Sequence, residues 1–148
     1  MQDEKIWDLR NYQRGKLIDY IKERLKLASI KRFENPRHTL EIQEKLNPDV
    51  LTIGFARRFA TYKRAGILFT DLERLAEIVN NPEMPVQFVF AGKAHPQDKA
   101  GQDLIKRIVE ISKMPQLTGK IIFLQNYDIS LAKKLVHGVD IWLNTPTR

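Results

Sequence analysis

Four short apolar runs, separated by stretches of helical periodicity, constrain this chain more than any other feature. They occupy residues 50–55, 86–91 (VQFVFA), 121–124 and 139–143 (VDIWL). Each is shorter than a stable helix and ends at glycine, asparagine or other polar residues, as buried strands do. Between them, apolar side chains recur at three- and four-residue steps. Leu68, Leu72, Leu75 and Val79 mark a helix over 67–79, stopped by Asn80-Asn81-Pro82. Leu104, Ile108 and Ile111 mark a second, starting near Asp98, and residues 129–136 a third. Strands alternating with helices predict a parallel sheet wound in right-handed β-α-β units. The expected fold class is therefore α/β, with four strands and both faces partly covered.

The first 48 residues read differently. Leu17, Ile21, Leu25 and Ala28 form a stripe, flanked by Ile6, Leu9 and Ile18, that predicts a long helix over about 3–33. Gly15 weakens its middle and is expected to mark a bend or break. Asn35-Pro36 ends it, because a residue before proline is pushed out of the α region. A short helix over 39–46 follows, stopped by Asn47-Pro48, with His38 at the surface. The division expected is a helical linker segment at 1–48 and a sheet domain at 49–148. The linker helix would cover the sheet or serve an interface.

The chain has 148 residues, enough for one ordinary domain. No run approaches the ~20 apolar residues that span a bilayer, and MQDEKIWDLR lacks a signal-peptide apolar core. Without cysteine there is neither a disulfide framework nor a thiolate metal site. The expected location is cytoplasmic. A net charge of +7 admits nucleic acid, anionic lipid or phosphorylated small molecules as partners. No nucleic-acid module organises the basic residues, so no nucleic-acid and no membrane partner is expected.

The polar clusters fall directly after the predicted strands. Arg57, Arg58, Tyr62, Lys63 and Arg64 follow the first, 92-GKAHP-96 the second, 125-QNYD-128 the third and 144-NTPTR-148 the fourth. In an open parallel sheet these segments share the carboxyl edge, where ligands bind. The first cluster places four cations in eight residues at what reads as a helix start, where the macrodipole is positive. Such cations are matched to an anion lying between them, and phosphate is the chemistry expected. There is no Walker phosphate loop and no G-x-G-x-x-G fingerprint. Lys93 follows a strand-end glycine that permits close backbone approach to a ligand. His95 reads either as a base or, more simply, as a solvated loop residue. Asn126 and Tyr127 read as ligand contacts or, with Asp128, as a backbone-satisfying turn. His137 ends a helix, where a cation is favourable, and Trp142 is expected in the core. The three histidines lack metal-ligand spacing, so no metal site is expected.

At these segments the sequence resembles the α-glucan (glycogen, starch, maltodextrin) phosphorylases of the shorter bacterial or archaeal type. The pieces that carry the resemblance are 57-RRFATYKR-64, 91-AGKAHP-96, 123-FLQNYDISLAKKL-135 and 139-VDIWLNTPTR-148, in family order. The resemblance implies the Rossmann-like C-terminal domain of a two-domain GT-B fold. It implies transfer of a glucosyl unit from an α-1,4-glucan to inorganic phosphate, giving glucose 1-phosphate, with pyridoxal 5'-phosphate as cofactor and a homo-oligomeric parent. Arg58 and Lys63 would hold substrate phosphate. Arg57 would neutralise the cofactor phosphate, and Tyr127 would lie against its ring. Lys93 and Asn126 match motif positions with a supporting role.

Two departures stand out. Arg57 occupies a position that is lysine in many members, which keeps the charge but changes its geometry. Asp128 stands where the longer animal enzymes have arginine. The family segment that contains the cofactor lysine does not occur before Arg148, so the expectation is an internal fragment, inactive by itself and without the Schiff-base lysine. Two other readings are a nucleotide-sugar GT-B transferase resembling glycogen synthase, and a non-enzymatic anion-binding module.

Overall fold

A computed structural model describes residues 3–31, 36–56, 69–124 and 128–143. In chain order it contains α1 (Asp3–Lys31), α2 (Pro36–Lys45), β1 (Leu51–Ala56), α3 (Leu72–Val79), β2 (Val86–Ala91), α4 (Lys99–Ser112), β3 (Ile121–Leu124), α5 (Ile129–Gly138) and β4 (Ile141–Trp142). The strands form one parallel sheet in the order β3-β2-β1-β4. The expected α/β class with a parallel sheet behind a long N-terminal helix is what the chain adopts.

Strand alternation separates two cores, since successive side chains point to opposite faces. Phe55, Phe88, Phe90 and Ile121 turn to one face and pack on Leu75 and Val79 of α3 and Ile108 and Ile111 of α4. Phe90 is the hub, with ring centroids of Phe55 and Phe69 at 5.8 and 5.5 Å. Ala56, Val89, Ala91, Ile122 and Leu124 turn to the other face and meet Leu131 and Leu135 of α5 with Leu17, Ile18 and Ile21 of α1. The three crossover helices each start on an aspartate whose carboxylate accepts from the backbone three residues on: Asp71 from Arg74, Asp98 from Gly101 and Asp128 from Leu131.

The long helix is continuous through Gly15, contrary to the expected bend. A helix packed on both sides of the glycine, here by buried Arg14 and Leu17, tolerates it at about 1 kcal/mol. At 29 residues it is about 43 Å long. It lies on the sheet's α5 face, which its sequence left open. The buried stripe is Arg14, Leu17, Ile18 and Ile21, while Ile6 and Leu9, expected beside it, are more than half exposed. Close approach of α1 to α5 requires Gly138, where a Cβ would fall under 3.0 Å from Leu17 Cβ.

Three other expectations shift. Helix α3 begins at Leu72, not at 67, because Asp71 caps it; residues 67–68 lie outside the described residues. The fourth strand is two residues, not five, because Val139 and Asp140 serve the turn out of α5 and the junction with α1. Trp142, expected in the core, is 38% exposed, since β4 is the sheet's outer strand beyond β1.

Candidate functional site

The sheet's order reverses between β1 and β4. From β1 the chain steps to β2 and β3 on one side through α3 and α4, then crosses back over the opposite face through α5 to β4. In such sheets the crevice for ligand lies at the carboxyl ends of the strands flanking the reversal. The register makes that edge specific. Ala56 pairs with Ala91, and Ala91 with Leu124, so β1, β2 and β3 all end in one row. Strands lie about 4.8 Å apart, so the segments beginning at 57, 92 and 125 leave the sheet side by side within about 10 Å. On the other side of β1, Trp142 pairs with Gly54, and the Leu143 amide donates to the Gly54 carbonyl at 2.8 Å. The segment from 144 therefore leaves the same edge.

The four residues assigned to phosphate and cofactor, Arg57, Arg58, Lys63 and Tyr127, lie outside the described residues, as do Tyr62, Arg64, Asn126 and 144–148. The described strand ends that precede them share one edge. Lys93 is described: it is exposed and borders a hollow of about 400 Å³. Asp128, Ile129, Ala132, Lys133 and His137 of the α5 region complete that hollow.

The helix N-termini at this edge tell which groups remain for an anion. Asp71, Asp98 and Asp128 place a carboxylate on α3, α4 and α5. Three helix ends that would otherwise attract phosphate are thus already paired with fixed negative charge. With α3 starting at Leu72, no described helix begins at the basic cluster itself. Among the described residues of this edge, Lys93 and Lys133 are exposed cations that border the hollow.

The competing readings of the loops can now be compared. His95 is exposed; its Nδ1 accepts from the Gln97 amide at 3.1 Å, and its carbonyl accepts from the Asp98 amide at 2.9 Å. That is the pattern of a loop-forming residue. Asp128 accepts from the Leu131 amide at 2.7 Å, the local backbone role weighed against ligand contact. His137 is exposed, with Nδ1 3.2 Å from the Lys133 carbonyl. No group of three or more His, Cys, Asp or Glu among the described residues is arranged to hold a metal ion. None of the described helices is long and apolar enough to cross a membrane.

Sequence reasoning missed a polar junction at the opposite end of the sheet. Arg14, 2% exposed, forks onto Asp140, with Nε 2.8 Å from Oδ2 and Nη2 2.6 Å from Oδ1. Its Nη1 donates to Asn11 Oδ1 and to the Pro48 carbonyl, and its guanidinium lies 5.6 Å from the Trp7 ring. Asp140 also accepts from the Thr52 amide and donates its own amide to the Thr52 carbonyl, both at 2.8 Å. Arg10 donates to the carbonyls of Val139 at 2.8 Å and His137 at 3.2 Å. The available signal was position: Arg14 lies three, four and seven residues before Leu17, Ile18 and Ile21, on the buried face. Beside it, buried Gln87 donates to Thr52 Oγ1 and the Asn47 carbonyl, joining β2 to the turn before β1.

The fold defines a Rossmann-like α/β unit with a topological switch point between β1 and β4. Comparison with known proteins narrows this: the chain belongs to the carbohydrate phosphorylase family, whose model matches residues 3–145. It is 46% identical to the maltodextrin phosphorylase of Thermococcus litoralis, over 99% of this chain and 17% of that protein. It is 45% identical to the glycogen phosphorylase of Aquifex aeolicus, over 97% of this chain and 21% of that protein. The glycogen phosphorylase of Mycobacterium tuberculosis is 38% identical, with 97% and 17% covered. The chain thus spans about a fifth of the length of these curated relatives.

Proposed function

We infer that this chain forms one wall of the phosphate site of an α-glucan phosphorylase, which transfers a glucosyl unit from an α-1,4-glucan to inorganic phosphate. The products are glucose 1-phosphate and a shortened glucan. The observation that carries this reading is the shared register row of Ala56, Ala91 and Leu124, which delivers the family-like segments to one edge. Family membership and relatives named as maltodextrin and glycogen phosphorylases support it over a nucleotide-sugar transferase or a non-enzymatic module.

Arg58 and Lys63 hold substrate phosphate in this reading, Arg58 by a planar fork and Lys63 as a point charge. Arg57 would neutralise the cofactor phosphate, and Tyr127 would lie against the pyridine ring. The donor set fits pyridoxal 5'-phosphate: the edge's helix ends carry aspartates, so two phosphates need a group of side-chain cations, and the 57–64 segment supplies four. When bound, the cofactor supplies a phosphate that exchanges a proton with substrate phosphate. The cations reduce the repulsion between the two anions, an electrostatic contribution that is largest where water is excluded. The segment 1–48 leads into the domain 49–148 as a helical linker, with α1 docked on it. The location is cytoplasmic, and the enzyme is a homo-oligomer.

The test uses a full-length phosphorylase carrying this segment, assayed for glucose 1-phosphate from maltodextrin and phosphate. Arg58→Ala should lower kcat/KM for phosphate by at least a hundredfold, the loss of a charge-assisted contact of about 3 kcal/mol. Unchanged phosphate dependence contradicts the assignment of Arg58.

A further inference from the structure

Strand β4 has little of what ordinarily holds a strand. It is two residues long, and its side chains, Ile141 and Trp142, are 46% and 38% exposed, so burial anchors it weakly. It is nevertheless the strand from which the chain enters 144–148. What grips it comes from α1. Arg14 takes both carboxylate oxygens of Asp140, directly before the strand, and Arg10 takes the carbonyls of Val139 and His137. Asp140, held this way, accepts from and donates to Thr52 at the start of β1, and this pairing sets the register that continues as Ile53–Ile141 and Gly54–Trp142. A pair serving general stability could lie anywhere in the core. Here two arginines one turn apart converge on three residues of the α5–β4 junction, His137, Val139 and Asp140.

We propose that Arg14, with Arg10 beside it, is a positioning residue that fixes the register of β4 on β1. It thereby sets where Leu143, the last described residue, reaches the carboxyl edge, roughly 10 Å from Asp140 along an extended chain. Arg14 touches no reacting atom; it acts through Asp140 and the strand. For catalysis the inference rests on the phosphate-site reading above, whereas the clamp itself does not.

The two parts are tested separately. Amide exchange in the full chain is compared for the Leu143 and Asp140 amides, which donate to β1, and the Phe88 amide, which donates to Lys120 on the far side of the sheet. Arg14→Lys keeps the charge and loses the fork; Arg10→Gln removes the second grip and leaves Arg14 in place. Each should speed exchange at Leu143 and Asp140 at least tenfold more than at Phe88, whose change reports the stability lost by the chain as a whole. Equal acceleration at all three amides, or none at Leu143, overturns the clamp. In a full-length phosphorylase carrying this segment, Arg14→Lys should raise KM for phosphate about fivefold with kcat within twofold. An unchanged KM alongside accelerated exchange overturns the positioning role. A wild-type enzyme that makes no glucose 1-phosphate defeats the phosphorylase reading, while the exchange result still decides the clamp.

Discussion

Removing the Arg14 side chain should be among the most damaging single changes to this chain's stability. Arg14 and Asp140 are 2% and 9% exposed, and five polar or ring contacts converge on the guanidinium. Arg14→Met keeps most of the volume and leaves Asp140 buried, its charge facing only the Thr52 amide. Stranding one member of a buried pair costs about 3–5 kcal/mol, against about 0–1 for an exposed pair. The chain provides its own control. Lys45 and Glu41 form an i,i+4 bridge at 3.2 Å with side chains 39% and 52% exposed, so Lys45→Met should cost under about 0.5 kcal/mol. Urea denaturation of the purified chain and both variants measures the difference. The Arg14→Met loss should also persist from low to high salt, because buried charges are screened little. Adding Asp140→Asn should recover part of it, giving a coupling of about 1–3 kcal/mol. A loss under about 1 kcal/mol for Arg14→Met, or one that disappears in salt, would show that the pair is solvated and the reasoning mistaken.

Further outcomes follow from the packing. Gly138→Ala should destabilise by about 1–3 kcal/mol through overpacking on Leu17, although the same change in an open helix end stabilises; thermal melting gives the sign. Gln87→Leu should cost about 1–3 kcal/mol by leaving the Asn47 amide without its acceptor, read from the urea midpoint at unchanged slope. Asp98→Ala should cost about 1 kcal/mol by uncapping α4, visible as faster exchange of the Gly101 amide.

Much of the fold was legible because periodicity reports one-dimensional facts. The second and third strands were placed to the residue, since VQFVFA and IIFL are bounded by polar residues and buried on both faces. The fourth was overestimated for the same reason: apolar VDIWL reads as buried, but burial depends on neighbours, and Ile141 and Trp142 stay 46% and 38% exposed. The start of α3 was misplaced because Leu68 continues the stripe in sequence, whereas the Asp71 carboxylate decides where the helix begins. The docking of α1 depends on Arg14, whose place on the buried stripe is visible in the sequence but whose partner, 126 residues away, is not. At the candidate site, sequence identified which strands end together at the carboxyl edge. It did not reveal that aspartates already occupy three helix ends there, because a cap is a matter of geometry as well as residue type.

The central claim is that the segment after β1 provides cations for phosphate in glucan phosphorolysis. Its most direct test is the phosphate dependence of glucose 1-phosphate formation in a full-length phosphorylase carrying this segment, compared with its Lys63→Met variant. The account expects glucan- and phosphate-dependent product from the wild type, with KM for phosphate raised about tenfold or more and turnover slowed in the variant. Identical phosphate curves for the two proteins, or glucan extension from a nucleotide sugar without any phosphorolysis, would contradict it.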